Sequence, residues 1–274
     1  MCPLYTVYSL VLLLILFLNT LFNTTISMLT NVESSTTHIV PLSTCTSVAL
    51  RLDSEDYVHL RESGFSNRTR SYKFNERIIA IEQNWEQEGL VCVVWEAAVI
   101  LAKYISLKMP SLQGVRVLEL GAGTGLAGLV AATLGADVTI TDRLGHLRCA
   151  ERNIENNKHL FSNTQSILVC PLTWGKNSGE LFMHEFGYFD ILIGADLVYN
   201  EAVFQDLIDT LVAFNVSNMT TTILLCGKIR YRKRHRIFLQ HLRKHFLYSD
   251  ELSLFSDLKR IYFPSYYILQ LHHK

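Results

Sequence analysis

Glu119-Leu-Gly-Ala-Gly-Thr-Gly125 is the stretch on which the fold turns. It ends an apolar, strand-like run, Val115 to Leu120, and opens a small-residue stretch, Leu126 to Leu134, that suits a helix. A second strand-like run, Asp137 to Thr141, comes next, and Asp142 closes it 21 residues after Gly121. Strand, glycine loop, helix, strand and terminal acid in that order form a nucleotide-binding βαβ unit. The glycines let backbone approach a ligand, and the acid at the end of the second strand accepts hydrogen bonds from ribose hydroxyls.

The loop also discriminates between nucleotides. A dinucleotide fingerprint needs its third glycine where Leu126 stands, whereas this loop has glycines at 121, 123 and 125. Glu119 would repel a pyrophosphate but can accept a hydrogen bond from a cationic amino group. S-adenosylmethionine offers an ammonium, a sulfonium, a ribose and no phosphate, so the electrostatics favour this methyl donor over NAD.

Outward from the loop, the pattern repeats. Leu144 to His159, Glu201 to Phe214 and Lys233 to Phe246 read as helical, and Ser166 to Cys170, Phe189 to Gly194 and Thr221 to Cys226 as buried strands. Alternation at this spacing predicts an α/β fold, a parallel sheet with helices on both faces. Upstream, Phe74 to Trp85 suggests a strand or hairpin, and Val93 to Leu107 an apolar helix stopped by Pro110. Ser34 to Arg70 is rich in Ser and Thr without periodicity and reads as lead-in. Three parts are expected: a hydrophobic segment over 1–32, an irregular linker over 33–71, and one domain over 72–274.

Composition supports that division. The chain has 274 residues, 49% of them hydrophobic, with 25 Lys plus Arg against 25 Asp plus Glu, which excludes disordered and uniformly basic classes. The first 32 residues carry no charge and 21 of them are hydrophobic. Residues 4–22 fit a membrane anchor, a signal peptide, against which the missing basic leader and small-residue cleavage site count, or an extension without function. The six cysteines have no C-x-x-C spacing, so no metal site is expected, and Cys92, Cys170 and Cys226 lie in apolar stretches that favour free buried thiols over disulfides. Sequons begin at Asn23, Asn67, Asn215 and Asn218 and matter only to a chain entering the secretory pathway.

Gln83-Asn84-Trp85, Gly89, Val94-Trp95-Glu96-Ala-Ala98, the glycine loop, Leu172-Thr-Trp-Gly175, Asp196-Leu-Val-Tyr199 and Ile229-Arg-Tyr231 fall in a recognisable order. From about Tyr72 onward the chain resembles the seven-β-strand protein-lysine methyltransferases of the methyltransferase-like 21 group, most of all the kind that modifies seventy-kilodalton heat-shock chaperones. The resemblance implies a Rossmann-like, seven-stranded class I methyltransferase sheet with one antiparallel strand at its edge, Tyr266 to Leu271 belonging to the final hairpin. It implies S-adenosylmethionine contacts by Trp95, Glu119, Gly121, Ala122, Gly123, Asp142, Trp174 and Ala195. It implies a protein acceptor and no nucleic acid. Trp85 fits a substrate-facing or a structural role equally.

Methyl transfer from a sulfonium needs a neutral amine, and free lysine with a pKa near 10.4 is almost wholly protonated at neutral pH. Asp196 is expected to hydrogen-bond and orient that amine, with Tyr199 forming part of an aromatic wall; its alternative is to cap the next helix. Leu197-Val198 replaces the two prolines usual in enzymes that methylate amides or base amines, which counts against those acceptors. Eight cations and no acid lie between 228 and 245, either a solvated helix face or a surface for an acidic partner or anionic lipid, with His241 and His245 expected to be exposed. Access to chaperones and donor favours a cytosol-facing catalytic domain. The rival readings are a membrane-tethered binding protein without turnover and an NAD-dependent oxidoreductase.

Overall fold

The computed structural model describes residues 67–161, 165–254 and 265–274. The hydrophobic segment 1–32, most of the linker 33–71, Cys2, Cys45 and Asn23 lie outside them. Among the described residues no single helix is long and apolar enough to cross a membrane.

An antiparallel hairpin comes first, β1 (Thr69–Phe74) and β2 (Arg77–Glu82). One helical turn, α1 (Trp85–Glu88), and a 3-10 turn, Gly89–Cys92, lead to α2 (Glu96–Lys108). This helix starts three residues later than its apolar pattern, because Trp95 is extended (φ −82°, ψ 143°) and serves as its N-cap. Pro110 disfavours helical backbone at Met109, and the helix stops there. The alternating part follows: β3 (Arg116–Leu120), α3 (Leu126–Thr133), β4 (Asp137–Asp142), α4 (Arg148–Asn157), β5 (Ile167–Pro171), α5 (Lys176–Phe186), β6 (Ile191–Ala195), α6 (Phe204–Ser217), β7 (Thr222–Lys228), α7 (Arg232–Leu242), β8 (Phe246–Asp250) and β9 (Tyr266–His273).

Seven strands form one sheet in the order β5-β4-β3-β6-β7-β9-β8. The first five are parallel, and β9 runs antiparallel to both β7 and β8. The expected antiparallel strand therefore exists, but it lies one place in from the edge, which β8 occupies. Helix α5 was not foreseen: its sequence opens Lys-Asn-Ser-Gly-Glu, and only Gly179, Phe182 and Met183 are buried, too thin an apolar stripe to read. Gly179 lets it approach α6, since a Cβ there would stand 3.2 Å from that of Ala213.

The two faces carry separate cores. One collects Ile79 and Ile81 of the hairpin, Ile100 and Leu101 of α2, the whole of α3 and Ile154 of α4. The other collects Phe182, Phe204, Leu207, Phe214, Phe238 and Leu242 from α5, α6 and α7. The hairpin is fastened by two fully buried asparagines of α4. Asn157 Oδ1 accepts from the Ala80 amide at 2.9 Å, and Asn153 Oδ1 from the Glu82 amide at 2.8 Å, while their Nδ2 groups donate back to the same residues' carbonyls. The asparagines thus serve as the missing neighbour of an edge strand.

The cysteine expectation needs one correction. Cys92 and Cys149 are joined as a disulfide between the 3-10 turn and α4, Cα atoms 5.6 Å apart, while Cys170 and Cys226 are free and buried. Their 57-residue separation and apolar settings hid a pairing made by tertiary proximity. Glu88 sits with both sulfurs, the three side chains' ligand-type atoms lying within 4.8 Å of one another.

Candidate active site

The strand order reverses at β3, with β4 on one side and β6 on the other, and ligands of open α/β sheets bind at such a switch point beyond the strands' C-terminal ends. The glycine loop after β3, Asp142 at the end of β4, and Ala195 with Asp196 after β6 share that edge.

On the donor side the loop's backbone is unusual. Gly121, Gly123 and Gly125 take φ of 56°, 54° and 77°, the left-handed region where a side chain is strained. A Cβ on Gly123 would stand 2.5 Å from the Val91 carbonyl oxygen, and one on Gly121 would stand 2.8 Å from Leu197 and 3.1 Å from the Trp174 ring. Trp174 thus covers the first glycine. Ala122 donates its amide to the Thr141 carbonyl at 3.0 Å. Asp142 Oδ2 accepts from the Gly123 amide at 3.0 Å and Oδ1 from the Arg143 amide at 2.7 Å, which fixes the acid beside the loop.

Glu119 is placed differently from its expectation. Its carboxylate is 1% exposed and accepts from the Gly128 amide at 2.8 Å, so it ties α3 to β3 from inside the fold instead of opening on the loop's mouth. Burial, partly offset by that hydrogen bond, pushes its pKa up to about 8.

Beyond the ends of β6 and β7 lies a charge cluster drawn from several elements. Asp196 is left-handed (φ 59°), a costly conformation for a non-glycine residue, and its amide donates to the Cys226 carbonyl at 2.8 Å. Its side chain, 9% exposed, is held by both arms of Arg230 at 2.7 and 2.6 Å. The Arg230 guanidinium lies 5.3 Å from the centre of the Trp95 ring. Its bonds to Asp196 outweigh partial burial and raise it further above its ordinary range. Beside it, Lys228 Nζ pairs with Glu96 at 3.0 Å and stands 4.9 Å over the Tyr266 ring, whose hydroxyl also donates to Glu96. Burial, then the bond to Glu96, raises the Tyr266 phenol.

Asp196 does not cap the following helical turn; Asn200 does, its side chain accepting from the Ala202 amide. Tyr199 is 54% exposed, so its ring stands at the rim of an open pocket shared with Arg230, Tyr231 and Arg234 and forms no closed wall. Trp85 is exposed at the start of α1. Within the basic run, Lys228, Arg230 and Arg234 are paired with acids, whereas Arg232, Lys233 and Arg236 are exposed on α7. His245 is exposed as expected, but His241 is half-buried. Glu96, Lys228 and Tyr266 escaped the sequence reading as members of the site: 132 and 170 residues separate the partners of Glu96 from it, and no local pattern links them.

The residues suit S-adenosylmethionine. Bare loop backbone that a Cβ would obstruct, Asp142 fixed at the end of β4, two tryptophan faces and a loop without Lys or Arg suit a ribose, an adenine and a cationic tail, and offer nothing to a diphosphate.

Residues 73–245 match the family model described as lysine methyltransferase. The chain is 39% identical over 186 residues to protein N-lysine methyltransferase METTL21A of Xenopus tropicalis, covering 68% of this chain and 82% of the relative. It is 34% identical over 188 residues to EEF1A lysine methyltransferase 3 of Mus musculus, covering 68% and 76%. Among solved structures, the 16S rRNA N2 methyltransferase RsmC of T. Thermophilus, in complex with AdoMet and guanosine, aligns with a TM-score of 0.50 at 17% identity, over 76% of this chain and 50% of that one. That likeness concerns the fold.

Proposed function

This chain belongs to the lysine methyltransferase family and is an S-adenosylmethionine-dependent protein-lysine N-methyltransferase; from that premise we propose that its acceptor is a lysine of a seventy-kilodalton heat-shock chaperone, oriented by Asp196. The observation that carries the site is the contact between the two motifs. Leu197, next to Asp196, lies against Gly121, so the chain segment that carries Asp196 passes beside the donor loop. What supports the chaperone as substrate is the resemblance to the methyltransferase-like 21 group, whose most specific pieces are the tryptophan helix, the Leu-Thr-Trp-Gly segment and the Asp-x-x-Tyr motif.

When bound, S-adenosylmethionine supplies an electrophilic methyl: the amine lone pair forms the new N–C bond, the C–S pair leaves with sulfur, and the nitrogen sheds one proton to water. The chain's residues position the partners. The glycine loop, Asp142, Trp95, Trp174, Ala122 and Ala195 hold the donor, and Asp196 aims the amine, so that orientation supplies most of the acceleration. Labelled donor with purified chaperone, followed by mass spectrometry of the modified peptide, tests the assignment. EEF1A run in parallel gives the competing acceptor, and label on it alone would overturn the chaperone reading.

We place the catalytic domain on the cytosolic side, with residues 4–22 as its membrane anchor, because chaperone and donor are both found there. One observation favours a second placement. The Cys92–Cys149 disulfide suits an oxidising compartment, and Asn67, which opens a sequon, is exposed. A glycosidase-sensitive mass shift of the cellular protein, lost in Asn67→Gln, would move the domain to the lumen.

A further inference from the structure

We propose that Arg230 sets the protonation state of the acceptor lysine by cancelling the charge of Asp196. A lone carboxylate next to the acceptor would work against the reaction. It attracts the ammonium form, and an opposite charge within about 4–6 Å raises an amine's pKa by about 1–3 units. The nucleophile is the neutral amine. A carboxylate used to orient it must therefore accept a hydrogen bond without presenting a net negative charge.

The geometry meets that condition. Both Asp196 oxygens are engaged by Arg230 at 2.7 and 2.6 Å, and the Lys228 amide approaches Oδ1 at 3.4 Å. A carboxylate has about four lone-pair sites, so about one remains for an amine N–H. The surroundings are balanced as well. Glu96 from α2 is matched by Lys228 from β7, and Tyr266 from β9 bonds the same Glu96. Cys226 of β7 and Tyr267 of β9 also act on Asp196 or lie near it, and burial keeps both protonated. Asp196 and Glu96 are matched by Arg230 and Lys228, Arg234 of the same pocket is matched by Glu201, and burial lowers the pKa of His235, so the pocket meets a lysine as a polar surface of balanced charge. Arg230 is held in place for this by Trp95, whose ring it covers. It is a positioning and charge-setting residue that acts through Asp196.

The inference rests on Asp196 receiving the acceptor amine, and the test separates the two. With saturating labelled donor and acceptor, kcat is measured from about pH 6.5 to about pH 9.5, since kcat reports groups in the bound complex. Acceptors are the purified seventy-kilodalton chaperone and, in parallel, bulk protein from a methylation-depleted extract. In Arg230→Met the acid limb is expected to move up by about one pH unit or more, so that an about tenfold deficit at neutrality closes toward alkaline pH. Arg230→Lys, which keeps the charge and loses the fork, should recover more than half of that displacement; Arg230→Gln replaces the Met variant should that one not fold. A Met or Gln profile that is unchanged, or lowered by one factor at every pH, overturns the inference, because a purely structural role scales the rate without moving the limb. Asp196→Ala in the same assay isolates the premise: a normal rate there removes the role of Asp196 and the inference with it. Absence of transfer by the unaltered enzyme to either acceptor overturns both.

Discussion

The two sides of the switch point are built on opposite principles. The donor side, after β3 and β4, works through backbone: three left-handed glycines, an alanine amide and two acids satisfied by main-chain N–H groups within 24 residues of one another. The side proposed for the acceptor, after β6 and β7, is built from side-chain charge, with Asp196, Arg230, Glu96, Lys228 and Tyr266 contributed by segments up to 170 residues apart. A ligand of fixed shape can be read by a preformed loop. On the proposal made above, a lysine that must lose a proton is met by charges that only tertiary assembly brings together.

The sharpest way to break this contrast is Asp196→Ala, which should lower kcat by about a thousandfold while leaving donor affinity within about threefold, measured by single-turnover kinetics and calorimetry. A parallel loss of donor binding would show the two sides to be one. Gly123→Ala should do the reverse. Its Cβ meets a carbonyl oxygen at 2.5 Å in a left-handed residue, so donor affinity should fall by about a hundredfold, about 3 kcal/mol, and retained affinity would mean that the loop yields. Asn153→Ala probes the hairpin that neither side contains. Loss of the side chain orphans the Glu82 amide and carbonyl and also the Thr124 carbonyl of the glycine loop, which Asn153 Nδ2 reaches at 3.1 Å, so unfolding free energy should fall by about 2 kcal/mol in urea titration while donor affinity falls less than in Gly123→Ala.

The smallest effect concerns Glu119. Its folded pKa is near 8 against an ordinary value of 4.5, so the folded state binds the proton more tightly. Stability from this group is full below about 4.5, declines as pH rises, and is lost above about 8. Glu119→Gln keeps the shape and cannot ionise. The melting temperature of the variant should therefore gain on that of the unaltered protein as pH rises through this window, and parallel curves would show that the buried carboxylate is satisfied in its charged form.

The same contrast explains what could be read from the chain before its fold was known. β3, the loop, α3 and β4 are contiguous, their periodicities are strong, and Asp142 is found by counting. The strand at Ile191–Ala195 and the Asp-x-x-Tyr segment were legible for the same reason. Arg230 stood out in the Ile229-Arg-Tyr231 segment as well as in the crowded basic run, but nothing local said that its guanidinium closes on Asp196. Helix α5 lacked an apolar stripe, and the neighbour of β8 depends on a return strand reached after a long connection. Glu119 looked like a ligand-facing acid because sequence gives its position at a strand end but not the side to which its carboxylate turns.

The disulfide between Cys92 and Cys149 has a mechanical consequence. It closes a covalent ring over a separation of 57 residues that contains β3, the glycine loop, α3 and β4. Tension applied to the two ends of the chain passes from one sulfur to the other and never loads the strands in between. The oxidised protein stretched to full length should be shorter than the reduced one by about 200 Å, at about 3.5 Å per residue. A chain drawn through a narrow pore would carry its donor-binding segment as a closed loop, the last part of the molecule to feel the pull.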